Sequence, residues 1–438
     1  MASTMTAPGT GAAYDQDTFD GHNQAGPSWL RDWRRDSFRD FQTLPLPTTA
    51  LEEWRYTDPK RLKWDRVRVA PDASTAAVPE VEAKWLKERT ASGRVLQVGT
   101  HLVQIELDDA LRGKGVILMD LAVAAEEHPE LVRKHLGSAV DERAGKFAAL
   151  NGAFWSAGVF LYVPRGVRID APIRVLRHLT DAGAAYFPRT LIVAEEGSHV
   201  GFVEELDSPD FDTPVFSCGA VEVIAGNAAD VQYVALQRYG ANVHHLSTQR
   251  TIAGRDANLD TLVVNLGASV ARVDLLASLQ GPGSRSDMLG LYFGRGNQHF
   301  DHSTRQDHTV PHATSDLLYK GALTDSAHAV FRGLIKVFPK AQRTDAYQTN
   351  RNLILSKKAE AIALPNLEIE ADDVRCSHAA TVGQLDEEEL FYIMSRGISR
   401  EMAEKLVVFG FFGEVLDRLP MPGVVEELRR AIEERITA

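Results

Sequence analysis

The sequence predicts a mainly β fold, a solenoid of stacked short strands, flanked by a mostly helical N-terminal region and a helical C-terminal domain. Three observations predict it. Near Gly158 the hydrophobic period switches to two and holds for about two hundred residues. Turn-like polar clusters recur near Gly197, Gly226, Arg255 and Ser284 at a spacing of about 29 residues, then near Ser326, Ala341, Lys357 and Asp372 at about half that. The chain ends in amphipathic segments carrying capping signals. Stacked coils bury apolar residues between successive rungs, so each rung needs its neighbours. A β-sandwich also yields many short strands, and the pattern alone leaves both open.

The elements follow in order. Residues 1–28 are small and polar without periodicity, which predicts a disordered tail. Residues 29–155 read as an N-terminal α+β region, mostly helical. Its first helix is SWLRDWRRDSFRDF, with Ser28 a candidate N-cap. The aromatic-rich LEEWRYTDPKRLKW follows, broken at Pro59, and Asp120 to Leu150 is helical in texture, with apolar positions at Leu121, Leu131, Val132 and Leu136. Residues 156–383 form the strand core: GVFLYVPRGVRIDAPIRVLRHL opens it and NLEIEADDV stands near its end. Residues 384–438 are helical. Asp386 with Glu389 makes a capping-box pattern, Gly397 supplies a left-handed stop, and Ser399 caps the next helix. That helix carries Met402, Leu406, Phe409, Phe412 and Leu416 at steps of three and four. Pro420 ends it, and Pro422 opens a last helix with Val425, Leu428 and Ile432 on one face. Such helices must pack on something, the β-domain or a partner.

Composition narrows the function. The chain has 438 residues, 44% hydrophobic and 25% charged, with a net charge of −12. That balance argues against a nucleic-acid binder, which would carry a basic face. Two cysteines, Cys218 and Cys376, make neither a disulfide framework nor a complete zinc or iron–sulfur ligand set. No secretory signal is visible, and the longest apolar stretches, such as Leu406 to Phe412, fall far short of the ~20 residues that span a bilayer. The expectation is a cytoplasmic protein with no membrane segment. GxxxxGKS/T, GxGxxG after a strand, HExxH, CxxC and GxSxG are all absent, so an enzyme would need some other site.

Three local features carry chemistry. Cys376-Ser377-His378 puts a thiol and an imidazole two residues apart, on one face if the segment is a strand. Both are ligands for iron, and a nearby imidazolium would lower the thiol pKa. The plainer reading is a core cysteine beside a surface histidine. His299, His302, His308 and His312, with Asp301, Asp307, Asp316 and His328, form a cluster whose spacings fit no standard ligand pattern, so a structural seam is favoured over a metal site. Cys218 stands in an apolar strand as a small core hydrophobe.

Several stretches resemble the SufB/SufD family of SUF iron–sulfur cluster assembly scaffolds: EEWRYTDPKRL (Glu52 to Leu62), LNGAFWSAGVFLYVPRGV (Leu150 to Val167), HFDHSTRQDHTVPHATSDLLYKGAL (His299 to Leu323), AVFRGLIKV (Ala329 to Val337) and, most specific, NRNLILSKKAEAIALPNLEIEADDVRCSHAATVGQLDEEELFYIMSRGI (Asn350 to Ile398). B-type members carry a cysteine where Asn350 stands and a glutamate where His378 stands, so the pattern here is D-type. The resemblance implies a right-handed parallel β-helix and a non-enzymatic subunit of the SufBCD complex. Its partners would be SufB, paired as a heterodimer through the end of the β-helix, and SufC, an ABC-type ATPase. Phe391, Met402, Leu406, Phe409, Phe412 and Leu416 would form the SufC dock or its supporting core. ATP-driven dimerisation of SufC would shift the interface with SufB. There a transient iron–sulfur cluster would be assembled and shared, with Cys376 and His378 as contributors to it and to iron acquisition. No cofactor would be held tightly by the isolated chain. Reduced flavin on the complex, and homodimerisation of the lone subunit, stay open. The alternative is a cytoplasmic β-helix or metal-dependent enzyme using the His299–His312 cluster.

Overall fold

Consecutive strands in the computed structural model, which describes residues 12–71 and 89–437, lie alternately in two long sheets. Val215–Ala225 lies in the first sheet, Asp230–Arg238 in the second and Val243–Ala253 in the first, and the alternation runs on to Glu360–Ile369 and Arg375–Gln384. Each strand pairs in parallel with the strand one rung away. Val270 pairs with His299 and His299 with His328, a rung of 29 residues. A sandwich would need antiparallel ladders, so the parallel pairing decides for the solenoid. The recurring turn clusters are its corners. One corner takes a left-handed residue on six successive rungs: Gly197, Ala228, Asp256, Gly283, His312 and Arg343, with φ from 54° to 76°. Backbone bonds stack these corners, as Ala228 N–H donates to Arg255 O (2.7 Å) and Asp256 N–H to Pro282 O (3.0 Å).

Inside, large and small residues interlock. Gly290 pairs with Tyr319 and Tyr292 with Gly321. A Cβ at Gly290 would stand 2.3 Å from the Tyr319 ring, and one at Gly321 1.9 Å from the Tyr292 ring. The two tyrosines therefore occupy the space the glycines vacate.

The outer faces are covered differently. The N-terminal region packs an aromatic cluster, including Phe38, Phe41, Trp64 and Phe154, on Phe216, Cys218, Leu246 and Val270 of the first sheet. The C-terminal helices Arg400–Leu416 and Pro422–Thr437 pack on Leu236, Leu262, Leu291 and Leu318 of the second. At the early end the strands Gly93–Val98, His101–Leu107 and Ile117–Asp120 extend the sheets, and there alone among the described residues the pairing turns antiparallel.

Two expectations are corrected. Residues 1–11 lie outside the described residues, but the rest of the expected tail is folded. Asp15 caps the helix Gln16–His22 by accepting from Thr18 N–H (2.9 Å). Tyr14 and Phe19 are each only 1% exposed, and the Phe19 ring stacks on Phe38 with centroids 4.2 Å apart. Two aromatic anchors outweigh a polar composition, because each buries a large apolar area. Ser28 begins the helix Ser28–Thr43 as its first residue, with Pro27 at the cap position. Ser399 does cap Arg400–Leu416, accepting from Met402 N–H.

Candidate functional site

The site is the last rung. Glu360–Ile369 and Arg375–Gln384 end their sheets at the same end of the stack, each paired along one edge only. Cys376 pairs with Ala346, His378 with Gln348 and Val382 with Asn352. Those partners are buried. Because side chains alternate along a strand, Cys376, His378, Ala380 and Val382 continue the inward-facing columns onto a rung that no other strand among the described residues covers. His378 is consequently exposed, Cys376 half-buried, and Ile369 and Val382 are 41% and 47% exposed.

The two candidate ligands share one strand face, but their electrostatics differ from the expectation. Cys376 packs against the small apolar cluster of Ile335, Val337, Ala341 and Ala346. Burial, and next the charge of Asp345, push its thiol pKa up, where a neighbouring imidazolium was expected to lower it. Unaided, this thiol is a protonated group at neutral pH.

One rung back, Asn350 is fully buried. It donates to Tyr292 Oη (3.3 Å) and Tyr319 O (3.2 Å) and accepts from Asn352 Nδ2 (2.7 Å). Where a thiol would project into the lumen, the chain has a bonded amide.

The histidine cluster is dispersed. His299 points outward, bonding Thr57 Oγ1 (2.8 Å) and His328 Nδ1 (3.0 Å). His302 points inward to Asn265 Nδ2 (2.7 Å) and stacks on Tyr292. His308, also inward, meets Ser315 Oγ (2.8 Å), and His312 is a left-handed corner residue. Burial pushes His299 down to about 3 and His302 and His308 to about 4. Asp301 pairs with Arg272, Asp307 with Arg305 and Asp316 with Arg418. Among the described residues no three His, Cys, Asp or Glu side chains converge as a metal set. Strand alternation turns His299 to the outer face and His302 and His308 to the lumen, so the His299–His312 cluster is not gathered at one place.

The C-terminal stripe also divides. Phe412 and Leu416 are buried on the solenoid, and Phe409 is half-buried beside them. Phe391 (73%), Met402 and Leu406 are exposed. The same helices and Leu353 line a shallow recess with Glu389, Tyr392, Ile393, Val407 and Phe411. The expected single face is therefore two, one packed and one open. Cys218 is buried on the outer face of the first sheet, its Sγ 3.4 Å from Phe147 O, as a small core residue.

Sequence reasoning missed a cleft between the N-terminal region and the first sheet, into which Arg332 projects. Its signal was a lone arginine in the apolar strand AVFRGLIKV.

Residues 177–411 match the model of the SUF system FeS cluster assembly SufBD core domain, and residues 16–175 that of the SufBD protein N-terminal region. Iron-sulfur cluster assembly SufBD family proteins of Staphylococcus aureus (strain USA300) and Staphylococcus saprophyticus are each 30% identical over 413 residues, covering 91% of this chain and 88% of theirs. No helix among the described residues is long and apolar enough to cross a membrane.

Proposed function

Because the chain belongs to the SufBD family of iron–sulfur cluster assembly proteins, we propose that it is the D-type scaffold subunit of a cytoplasmic SufBCD complex, with no catalysis of its own. The observation that carries this reading is the uncovered last rung. Two ten-residue edge strands leave rows of backbone N–H and C=O groups unpaired at one end of the stack. Such edges are aggregation hazards unless a partner covers them. A second solenoid, SufB, would continue both sheets and close the lumen over Cys376 and His378. The cluster is cargo, and its ligands come from both chains. Cys376 and His378 offer at most two, fewer than the about four that hold a cluster firmly, which suits a scaffold that must release what it builds.

Asn350 supports the D-type assignment, since an amide bonded to two tyrosine residues cannot carry sulfur. For SufC, the open face of Phe391, Met402 and Leu406 is the proposed dock, and Phe412 and Leu416 hold the helix that presents it. Movement of SufC on ATP binding would then reach the last rung through these helices.

The experiment is His378→Ala assayed for cluster-dependent enzyme activity in cells, with co-purification of SufB and SufC checked alongside. An intact complex with lost activity is expected. Full activity would remove His378 from the role. Truncation before Gln384 should abolish SufC capture, and retained capture would place the dock elsewhere.

A further inference from the structure

Away from the last rung, the N-terminal region and the outer face of the first sheet enclose a cleft of about 840 Å³, within the usual range for small-molecule sites. Its floor is set by register. Thr248, Asp274, Ser303 and Arg332 stand side by side on successive rungs. Asp274 is taken by Arg250, whose Nη1 lies 3.1 Å from its carboxylate. Arg272 is held by Asp301 and lies under the Trp54 ring, 4.0 Å from its centroid. Arg332 is the exception. It is 7% exposed, and its Nη2 donates to the Glu52 carbonyl. Its Nε and Nη1 have no hydrogen-bond partner, and the carboxylates of Asp301, Glu53 and Glu52 act on its charge without bonding those two atoms. A buried guanidinium with two idle donors is costly, and a ligand that accepts from it recovers that cost. Leu51, Trp54, Leu276 and Leu334 supply apolar walls, and basic lining side chains outnumber acidic ones.

We propose that this cleft binds a small organic phosphate, its phosphate on Arg332 and the Ser303 hydroxyl of the adjoining rung and its apolar body against Trp54 and Leu334. A phosphate monoester suits the site because it carries about −1.5 to −2 charge and three acceptor oxygens. Four of the six basic lining side chains are already paired with carboxylates, which leaves Arg332 as the donor an anion would meet, and its burial disfavours a protein surface.

The test is calorimetric titration of the full chain with 1-naphthyl phosphate, with inorganic phosphate as competitor. One site per chain is expected, weakened roughly tenfold or more in Arg332→Gln, the loss typical of one charge-assisted hydrogen bond. Ser303 is half-buried, so Ser303→Glu should fold and place a carboxylate where the phosphate sits, abolishing binding. The exposed, distant Lys357→Gln should change nothing. No binding by the parent chain, or affinity within twofold in Ser303→Glu with circular dichroism unchanged, overturns the proposal, whether or not Arg332→Gln folds.

Discussion

Arg189 and Glu222 form an ion pair sealed from water, with Nη2 and Oε1 2.6 Å apart and both side chains 0% exposed. It stands on the outer face of the first sheet. The same carboxylate accepts from the N–H groups of Gly137, Ala139 and Val140 at 3.0 to 3.2 Å. Arg189 donates also to Asn151 and lies over the Trp33 ring. One buried charge thus ties a loop of the N-terminal region to the solenoid.

Removing that carboxylate leaves a buried guanidinium with its charge uncompensated. Glu222→Ala should cost about 3–5 kcal/mol, read as a lowered urea midpoint. A loss under about 1 kcal/mol would show that water replaces the carboxylate.

Acid should loosen the solenoid between about pH 6.5 and 4. His244, His245, His302 and His308 are pushed down to about 4 and His299 to about 3, all chiefly by burial. In the unfolded chain these imidazoles take up protons near 6.5. The unfolded state therefore binds more protons as pH falls through that window, and stability drops by on the order of 3 kcal/mol per histidine. Glu205 acts oppositely. Burial pushes it up to about 7, against the pull of Arg238, Arg89 and Arg174, so protonation favours the folded state there. Asp260, pushed up to about 6 chiefly by burial, acts in the same direction as Glu205, and these two carboxyls do not offset five imidazoles, whose sum matches the whole stability of a typical domain. Near-ultraviolet circular dichroism from pH 8 to 3.5 should show a cooperative loss. A native spectrum at pH 4 would contradict the assignment of these rings as buried and neutral.

The two thiols should react unequally. Cys376 is half-buried at the open end, and Cys218 is sealed under Phe147. A thiol reagent added to the native chain should modify one cysteine, slowly at pH 7 and faster as pH rises, because the Cys376 pKa is raised. Modification of both at equal rates would mean the N-terminal cover opens readily.

The C-terminal helices allow a separation of stability from binding. Phe412→Ala removes a ring packed on the second sheet and should cost about 3–5 kcal/mol. Met402→Ala and Leu406→Ala, at exposed positions, should stay within about 0.5 kcal/mol of the parent and should instead weaken SufC capture. Equal destabilisation by all three would mean the helix has one packed face.

Phe19→Ala tests the folded segment that polar composition concealed. Its ring stacks on Phe38 inside the aromatic cluster, so a loss of about 3–5 kcal/mol is expected in thermal unfolding. A change under about 1 kcal/mol would show that residues 12–22 do not share the main core.

Local patterning determined much of this protein. The 29-residue turn spacing became the rung, the period-two strands became the two sheets, and Gly397, Ser399 and Pro422 stopped, capped and opened helices where expected. These features rest on contacts between residues near in sequence, or exactly one rung apart, so a periodic chain records them. Tertiary structure alone decided which faces are covered. Cys376 and His378 share a face by alternation, but their exposure follows from their place on the last rung of the described residues. Met402 and Phe412 sit on one helix, yet only the second meets the solenoid. Tyr14 reaches the core through residues fifty and more positions away. Burial of that kind depends on where distant elements dock, and neither composition nor spacing encodes it.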